Sequence, residues 1–222
     1  MFLKIISKLR FLHTIASYFV SIFPFFIIHN FSKYHELRKT LKIIEMDETD
    51  GDYCEFGCFT GASLTHSLRI TSGKEFFKKK IFYGFDSFEG FPEEAHKIYK
   101  SEDFSADYNE VKKIEKNSKG RCKIIRGFFE ESLTDNLIKK NISKISLAFI
   151  DCDLALSSIP VFLFIKDRLV NGSFIIIDDY FNIDKNGRSI RAEFLKTFAV
   201  DKEISLFSTY GVNGVVFRYY SS

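Results

Sequence analysis

Residues 174–177 read Phe-Ile-Ile-Ile and run straight into Asp178-Asp179. A short run that is apolar at every position suits a strand buried on both faces, as in a parallel sheet sandwiched between helices. Four earlier segments also read as strands: Tyr53–Phe56, Ile81–Phe85, Cys122–Arg126 and Ser146–Ile150. Helical stretches are expected between them at Ala62–Thr71, Asn109–Ser118, Leu133–Lys140 and Ser157–Leu169, with another at Ser189–Phe198. Strands that alternate with helices predict an α/β fold with a doubly wound, mostly parallel sheet. Asn171-Gly172 reads as the turn into the fifth strand. Ile204–Ser208 and Gly214–Tyr219 add an antiparallel C-terminal hairpin and complete a seven-stranded sheet.

The 222 residues suffice for one such domain plus an appendage. We place a helical arm at 1–48 and the ligand-binding domain at 49–222. In the arm, Phe2, Ile5, Leu9, Leu12, Ala16, Phe19 and Phe23 fall on one helical stripe, and Pro24 should end or kink that helix. Phe25–Phe31 adds a second apolar run. A spanning helix needs roughly 20 apolar residues, and His13, several hydroxyls and Pro24 interrupt this one. FIIHNFSKY offers no small-x-small cleavage site. The periodicity fits best an amphipathic helix lying on a membrane surface through residues 1–31, or packed on a partner in a homo-oligomer. Ser32 is placed to cap a following helix whose face carries Tyr34, Leu37, Leu41 and Ile44.

The net charge is +3, and no dense basic stripe with interleaved aromatics occurs, which disfavours nucleic acid as a partner. Cys54, Cys58, Cys122 and Cys152 lack C-x-x-C pairing. They read as reduced thiols of a cytoplasmic protein, here at the inner face of a membrane.

The chemistry gathers where strands end. Gly51–Ser63, GDYCEFGCFTGAS, is a strand breaking into a glycine turn and then a helix, with Glu55 placed to meet a cationic or zwitterionic ligand. Its G-x-x-x-G spacing is neither the dinucleotide nor the P-loop pattern. Asp86 ends the second strand, where an acid can bind ribose hydroxyls. Asp151-Cys152-Asp153 and Asp178-Asp179 end the fourth and fifth. Carboxylates crowded this way need protons or a cation, and oxygen-only donors favour Mg²⁺ or Ca²⁺. An ion there could hold two substrate hydroxyls and make one a nucleophile. Glu93–Asp107 reads as a polar lid, and His96 lies in it.

Taken together these segments resemble the macrocin O-methyltransferase family of class I S-adenosylmethionine-dependent methyltransferases. GDYCEFGCFTGAS resembles its first motif, FYGFDSFEGFPE its FDSFEGLP segment, and IIRGFFEESL its glycine–aromatic–phenylalanine motif. IDCDLALSS and NGSFIIIDDY resemble its D-G-D-L-Y-x-S-T and DDY segments. The motifs run in order from about Gly51 to Phe194, with the arm outside them. The resemblance implies a Rossmann-like sheet and transfer of a methyl group from S-adenosylmethionine to a sugar hydroxyl of a small-molecule or glycan acceptor. It implies cofactor contacts from Glu55, Gly57, Gly61, Ser63, Asp86, Ser87 and Asp151, and Mg²⁺ held by Asp151, Asp178 and Asp179. Asp151, Asp153 and His96 are the catalytic candidates. Cys152 departs from the family glycine, Ala155 and Leu156 from an aromatic and often a polar residue, and Ser173 from a second glycine. The altered Ala155-Leu156 pair motivates the competing reading, a degenerate scaffold or membrane-surface binding protein that has lost turnover.

Overall fold

The computed structural model describes residues 10–92, 96–198 and 203–221. The first half of the expected Phe2–Phe23 helix and the head of the Glu93–Asp107 lid lie outside the described residues. The strands are β1 (Asp52–Phe56), β2 (Phe82–Asp86), β3 (Cys122–Arg126), β4 (Ile145–Ile150), β5 (Leu169–Ile177), β6 (Ile204–Tyr210) and β7 (Gly214–Tyr219). They form one sheet in the order β3-β2-β1-β4-β5-β7-β6. All pairs are parallel except those of β7 with β5 and β6. The doubly wound sheet and its antiparallel hairpin are as the sequence predicts.

Helices cover both faces. Helices α1 (Arg10–Ile22) and α2 (Phe25–Met46) precede the sheet, and α3 (Ala62–Ile70) and α4 (Tyr108–Asn117) follow β1 and β2. Helices α5 (Phe129–Ser132), α6 (Asn136–Asn141), α7 (Ala155–Lys166) and α8 (Ile190–Phe198) complete the set. Leu37, Leu41 and Ile44 of α2 share a core with Leu64 of α3, Val111 of α4 and the sheet residues Phe149, Phe174, Ile176 and Val216. On the opposite face Val161, Phe162 and Ile165 of α7 pack with Phe194 and Phe198 of α8.

Three local expectations change. Ser32 does not cap a helix. Helix α2 already begins at Phe25, and the Ser32 hydroxyl donates back to the Ile28 carbonyl at 2.9 Å. Pro24 is the true start, because its fixed φ and missing N–H suit the residue ahead of a first turn. The expected Leu133–Lys140 helix is divided, because Asp135 accepts the N–H groups of Leu137 and Ile138 and starts α6 afresh. Asn171-Gly172 is not a turn but a bulge inside β5, where pairing with β4 jumps from Ile145–Leu169 to Leu147–Phe174. Gly172 takes φ +88°, and Ser173 Oγ accepts from Val170 N–H and donates to the Ile145 carbonyl, closing the bulge.

The sequence places residues 25–46 in the arm, yet their inner stripe is part of the sheet's core. By contrast Phe11, Leu12, Ile15, Tyr18, Phe19, Val20 and Ile22 of α1 are all exposed. Phe11, Ile15, Tyr18 and Ile22 form a stripe beside Leu12 and Phe19, so the apolar sector is wider than one stripe. No single helix among the described residues is long and apolar enough to cross a membrane, and α1 and α2 are bent by 117° at Pro24. Leu41 is 1% exposed under the sheet. Leu41→Ala should therefore lower unfolding free energy by about 2–5 kcal/mol in urea denaturation; a cost near zero would mean that α2 is detached in solution.

Candidate active site

Backbone hydrogen bonds bring the strand ends level. Asp151 N–H donates to the Phe56 carbonyl and Asp178 N–H to the Ile150 carbonyl, both at 2.9 Å. Gly57 N–H donates to Phe85 at 2.8 Å and Gly127 N–H to Asp86 at 3.0 Å. The acids that end β2 and follow β4 and β5 thus share one rim. At that rim, where the winding reverses between β1 and β4, lies a cleft of about 420 Å³. That volume is in the range of small-molecule sites.

Its floor is the glycine turn. Gly57 takes φ +88°, and a Cβ there would stand 1.9 Å from the Asp151 carbonyl oxygen, so only glycine lets β1 exit against β4. Asp86 accepts the N–H groups of Phe59 and Phe88, each at 2.7 Å. Both phenylalanines are left-handed, with φ +46° and +62°. One carboxylate therefore holds two strained turns, and each of its oxygens keeps a further lone pair. Ser87 lines the same wall and donates to the Gly90 carbonyl at 3.0 Å.

The remaining glycine-motif residues stand behind this wall. Glu55 has no exposed surface. The strand's two-residue alternation puts it on the same side as Tyr53, beneath α3. There it accepts from the hydroxyls of Tyr53 and Ser63. Burial pushes its carboxyl up to about 7, against those hydrogen bonds. Ser63 is thereby occupied. Gly61, ahead of α3, takes the left-handed φ of +75° that favours glycine, and a Cβ there would also displace the tip of the Ile114 side chain of α4. Glu55, Gly61 and Ser63 shape the turn, whereas Gly57, Asp86, Ser87 and Asp151 line the cleft.

The acidic rim has partners the sequence analysis missed. Lys33 of α2 reaches into it, with Nζ 2.8 Å from Asp151 Oδ2 and 2.7 Å from Asp178 Oδ2. His29, one turn earlier, places Nε2 3.0 Å from both Asp178 oxygens, and the Tyr210 hydroxyl donates to Asp178 at 2.5 Å. His29 Nδ1 accepts from Val212 N–H, so Nε2 carries the proton and faces the carboxylate. Gly211 permits this approach, because a Cβ there would stand 2.2 Å from the His29 ring. Burial opposes the charge on Lys33, yet the two carboxylates outweigh it and hold the ammonium above the usual lysine range. Burial likewise opposes the charge on Asp178, but His29 and Lys33 leave its carboxyl below the usual range.

Asp151, Asp153 and Asp179 each turn an oxygen inward, and the three lie within 4.8 Å of one another. By donor chemistry such a set fits a hard divalent cation. It differs from the expected Asp151–Asp178–Asp179 set because Asp178 faces Lys33, His29 and Tyr210. Burial and the charges of Asp151 and Asp178 push Asp153 up to about 8. Burial and Asp178 push Asp151 up to about 6, with Lys33 opposing. Asp179 is raised well above the carboxylate range by burial and by Asp153.

His96 is buried, not a solvated lid residue. Its ring stacks between Phe91 and Tyr99, and Nδ1 accepts the N–H groups of Ile98 and Tyr99. With Nδ1 engaged, the proton of the neutral ring sits on Nε2, 4.0 Å from Asp153 Oδ1. Burial lowers its basicity. The Nε2–H of His96 thus faces Asp153 without reaching hydrogen-bond distance.

The sequence profile of the macrocin O-methyltransferase (TylF) family matches residues 30–218. The chain belongs to the macrocin O-methyltransferase family. The match begins within α2, one residue after His29, and takes in Lys33. No curated protein sequence matches the chain. Among solved structures, the O-methyltransferase NovP is 17% identical with a TM-score of 0.68, over 86% of this chain and 80% of NovP. CalS11, a calicheamicin methyltransferase, is 18% identical with a TM-score of 0.72, over 87% and 80% of the two chains. An O-methyltransferase from Bacillus cereus, solved with SAH, is 14% identical with a TM-score of 0.57, over 84% and 81%. At these identities the likeness concerns the fold, and the family match makes this chain an O-methyltransferase.

Glu55 gives this family member a pH signature. Its folded value is raised, so its contribution to stability is full below the unfolded value of 4.5 and is lost as pH rises through about 7. Glu55→Gln should remove that loss. The variant's melting temperature should match or trail the wild type at pH 5 and exceed it at pH 8. Parallel pH profiles would mean that Glu55 is not held protonated.

Proposed function

We propose that this O-methyltransferase moves the methyl group of S-adenosylmethionine to a sugar hydroxyl, in a small-molecule glycoside or a surface polysaccharide. The observation that carries this reading is the convergence of Gly57, Asp86 and the acids after β4 and β5 on one cleft. The relatives point the same way: TomG is described in complex with SAM, and CalS11 as a TDP-rhamnose 3'-O-methyltransferase.

When bound, the sulfonium donor supplies an activated methyl and a neutral leaving group, so the protein's tasks are alignment and proton removal. Asp86, fixed by two backbone N–H groups, offers its spare lone pairs to ribose hydroxyls. Phe59 and Phe128 line the cleft and supply apolar walls. Asp153 is the base in this reading. It is half-buried, left-handed at φ +57°, beside the cleft, and pushed up to about 8. A carboxylate of that basicity can take a proton from a hydroxyl that positive charge nearby has acidified. Asp151 and Asp179 would hold Mg²⁺, which would supply such charge while leaving Asp153 free to accept the proton. Lys33 supplies one positive charge without it.

We also place the protein in the cytoplasm at the inner face of a membrane, with residues 1–31 on the bilayer surface. What supports this is the exposed apolar sector of α1, continued by Phe25, Phe26 and Phe31. The full chain should pellet with phosphatidylglycerol-containing vesicles, and a chain lacking residues 1–23 should not. Equal pelleting, or loss of a dimer on truncation without vesicle binding in either form, would count against the membrane.

Calorimetric titration tests the central reading. S-adenosylhomocysteine should bind in the micromolar range and NAD should not. Asp153→Asn should lower kcat by about 10²-fold or more while leaving S-adenosylhomocysteine affinity within a few-fold. In the wild type kcat/KM should rise as pH passes through about 8, since only the ionised carboxylate accepts a proton. Preferential NAD binding would exclude methyl transfer, and full activity of the variant would remove Asp153 from the base role.

A further inference from the structure

Helix α2 delivers an ammonium to the place where the family resemblance leads one to expect a metal. Lys33 Nζ bridges one oxygen of Asp151 and one of Asp178 at 2.8 and 2.7 Å, the lengths of charge-assisted hydrogen bonds. Its side chain is 12% exposed, so the charge is withdrawn from bulk water and kept there by its two partners. Asp178 is also bound by His29 and Tyr210, and these three donors use most of its four lone-pair sites. The oxygens left to converge are those of Asp151, Asp153 and Asp179. Asp151 belongs to both groups. A divalent ion at the triad would stand beside the ammonium on a shared carboxylate, and like charges at that range repel strongly in a site poor in water.

We propose that Lys33 is the resident cation of the acidic cluster, bridging Asp151 and Asp178 as a divalent ion would, so that such an ion binds only when Lys33 withdraws. Lys33 is thus a positioning residue: it orients Asp151 and keeps the strand ends charge-balanced from the neighbouring helix. The methyl-transfer reading says what the cluster serves, but ion binding to it can be measured without turnover.

Mn²⁺ is the probe, read by electron paramagnetic resonance of the free ion with the full chain. Lys33→Met should bind Mn²⁺ about tenfold or more tighter than wild type, and Lys33→Arg, which restores the charge, should return to wild-type affinity. Equal affinity in wild type and a folded Lys33→Met, or no binding to either, would overturn the proposal. Should Lys33→Met fail to fold, the wild-type chain still decides the matter by acetic anhydride labelling and mass spectrometry. Lys33 should be protected without Mn²⁺, and its labelling should rise in step with Mn²⁺ occupancy or stay low where no ion binds. Free labelling without the ion, or lasting protection as the ion binds, would overturn it. S-adenosylhomocysteine affinity on the same samples reports separately on the methyl-transfer reading.

Discussion

Carboxylates at the ends of adjacent parallel strands form the constraint around which this molecule is arranged. Hydrogen bonds between strand ends hold Asp151 and Asp178 side by side, and Asp153 and Asp179 follow each of them by one or two residues. In a half-buried crevice such charges must be matched or protonated. The structure does both. Against burial, His29 and Lys33 stabilise the ionised form of Asp178, to which Tyr210 also donates, while Asp153 and Asp179, with no lysine or arginine in contact among the described residues, are driven by burial and neighbouring carboxylates toward their protonated forms. Neighbouring acids of the same type thereby acquire opposite tendencies, which is what separates an anchoring carboxylate from one able to accept a proton.

The compensating groups arrive from two ends of the chain. Helix α2 brings His29 and Lys33, and the β6–β7 hairpin brings Tyr210. Two of them, His29 and Tyr210, pack where a glycine leaves room. The His29 ring lies against Gly211, and the Tyr210 ring lies 2.3 Å from where a Cβ of Gly214 would be. The antiparallel hairpin therefore does more than finish the sheet: its turn seats the histidine and its last β6 residue anchors Asp178.

The strands and their succession along the chain, the hairpin and the acids at strand ends were legible because they follow from uninterrupted apolar runs and from what terminates them. Local register was less so. Ser173 stands out in the sequence only as a departure from a family glycine, yet its hydroxyl closes the β5 bulge. Glu55 looked like a ligand contact because it precedes a glycine turn. Strand alternation from Tyr53 already turned it beneath α3, and only the mates Ser63 and Tyr53 reveal it as an internal support. His96 was placed in the right region, but its role depends on which ring nitrogen two backbone N–H groups occupy, and that lies in the loop's path, not in its composition.

The most consequential omission had a signal. Leu37, Leu41 and Ile44 were recognised as one helical face. Stepping back along that face by fours from Leu37 gives Lys33 and then His29. A cap at Ser32 cuts the stripe before it reaches them, because serine favours helix starts, and only its back-bond to the Ile28 carbonyl shows it to be interior. Once the helix is continuous to Phe25, its two ends are mechanically one object. Leu37, Leu41 and Ile44 fix it to the sheet, His29 and Lys33 touch the acids, and Phe25 and Phe26 stand in the open beside α1. Phe25 and Phe26 stand about one turn before His29 and about two turns before Lys33, so the exposed arm and the cleft are served by one helix.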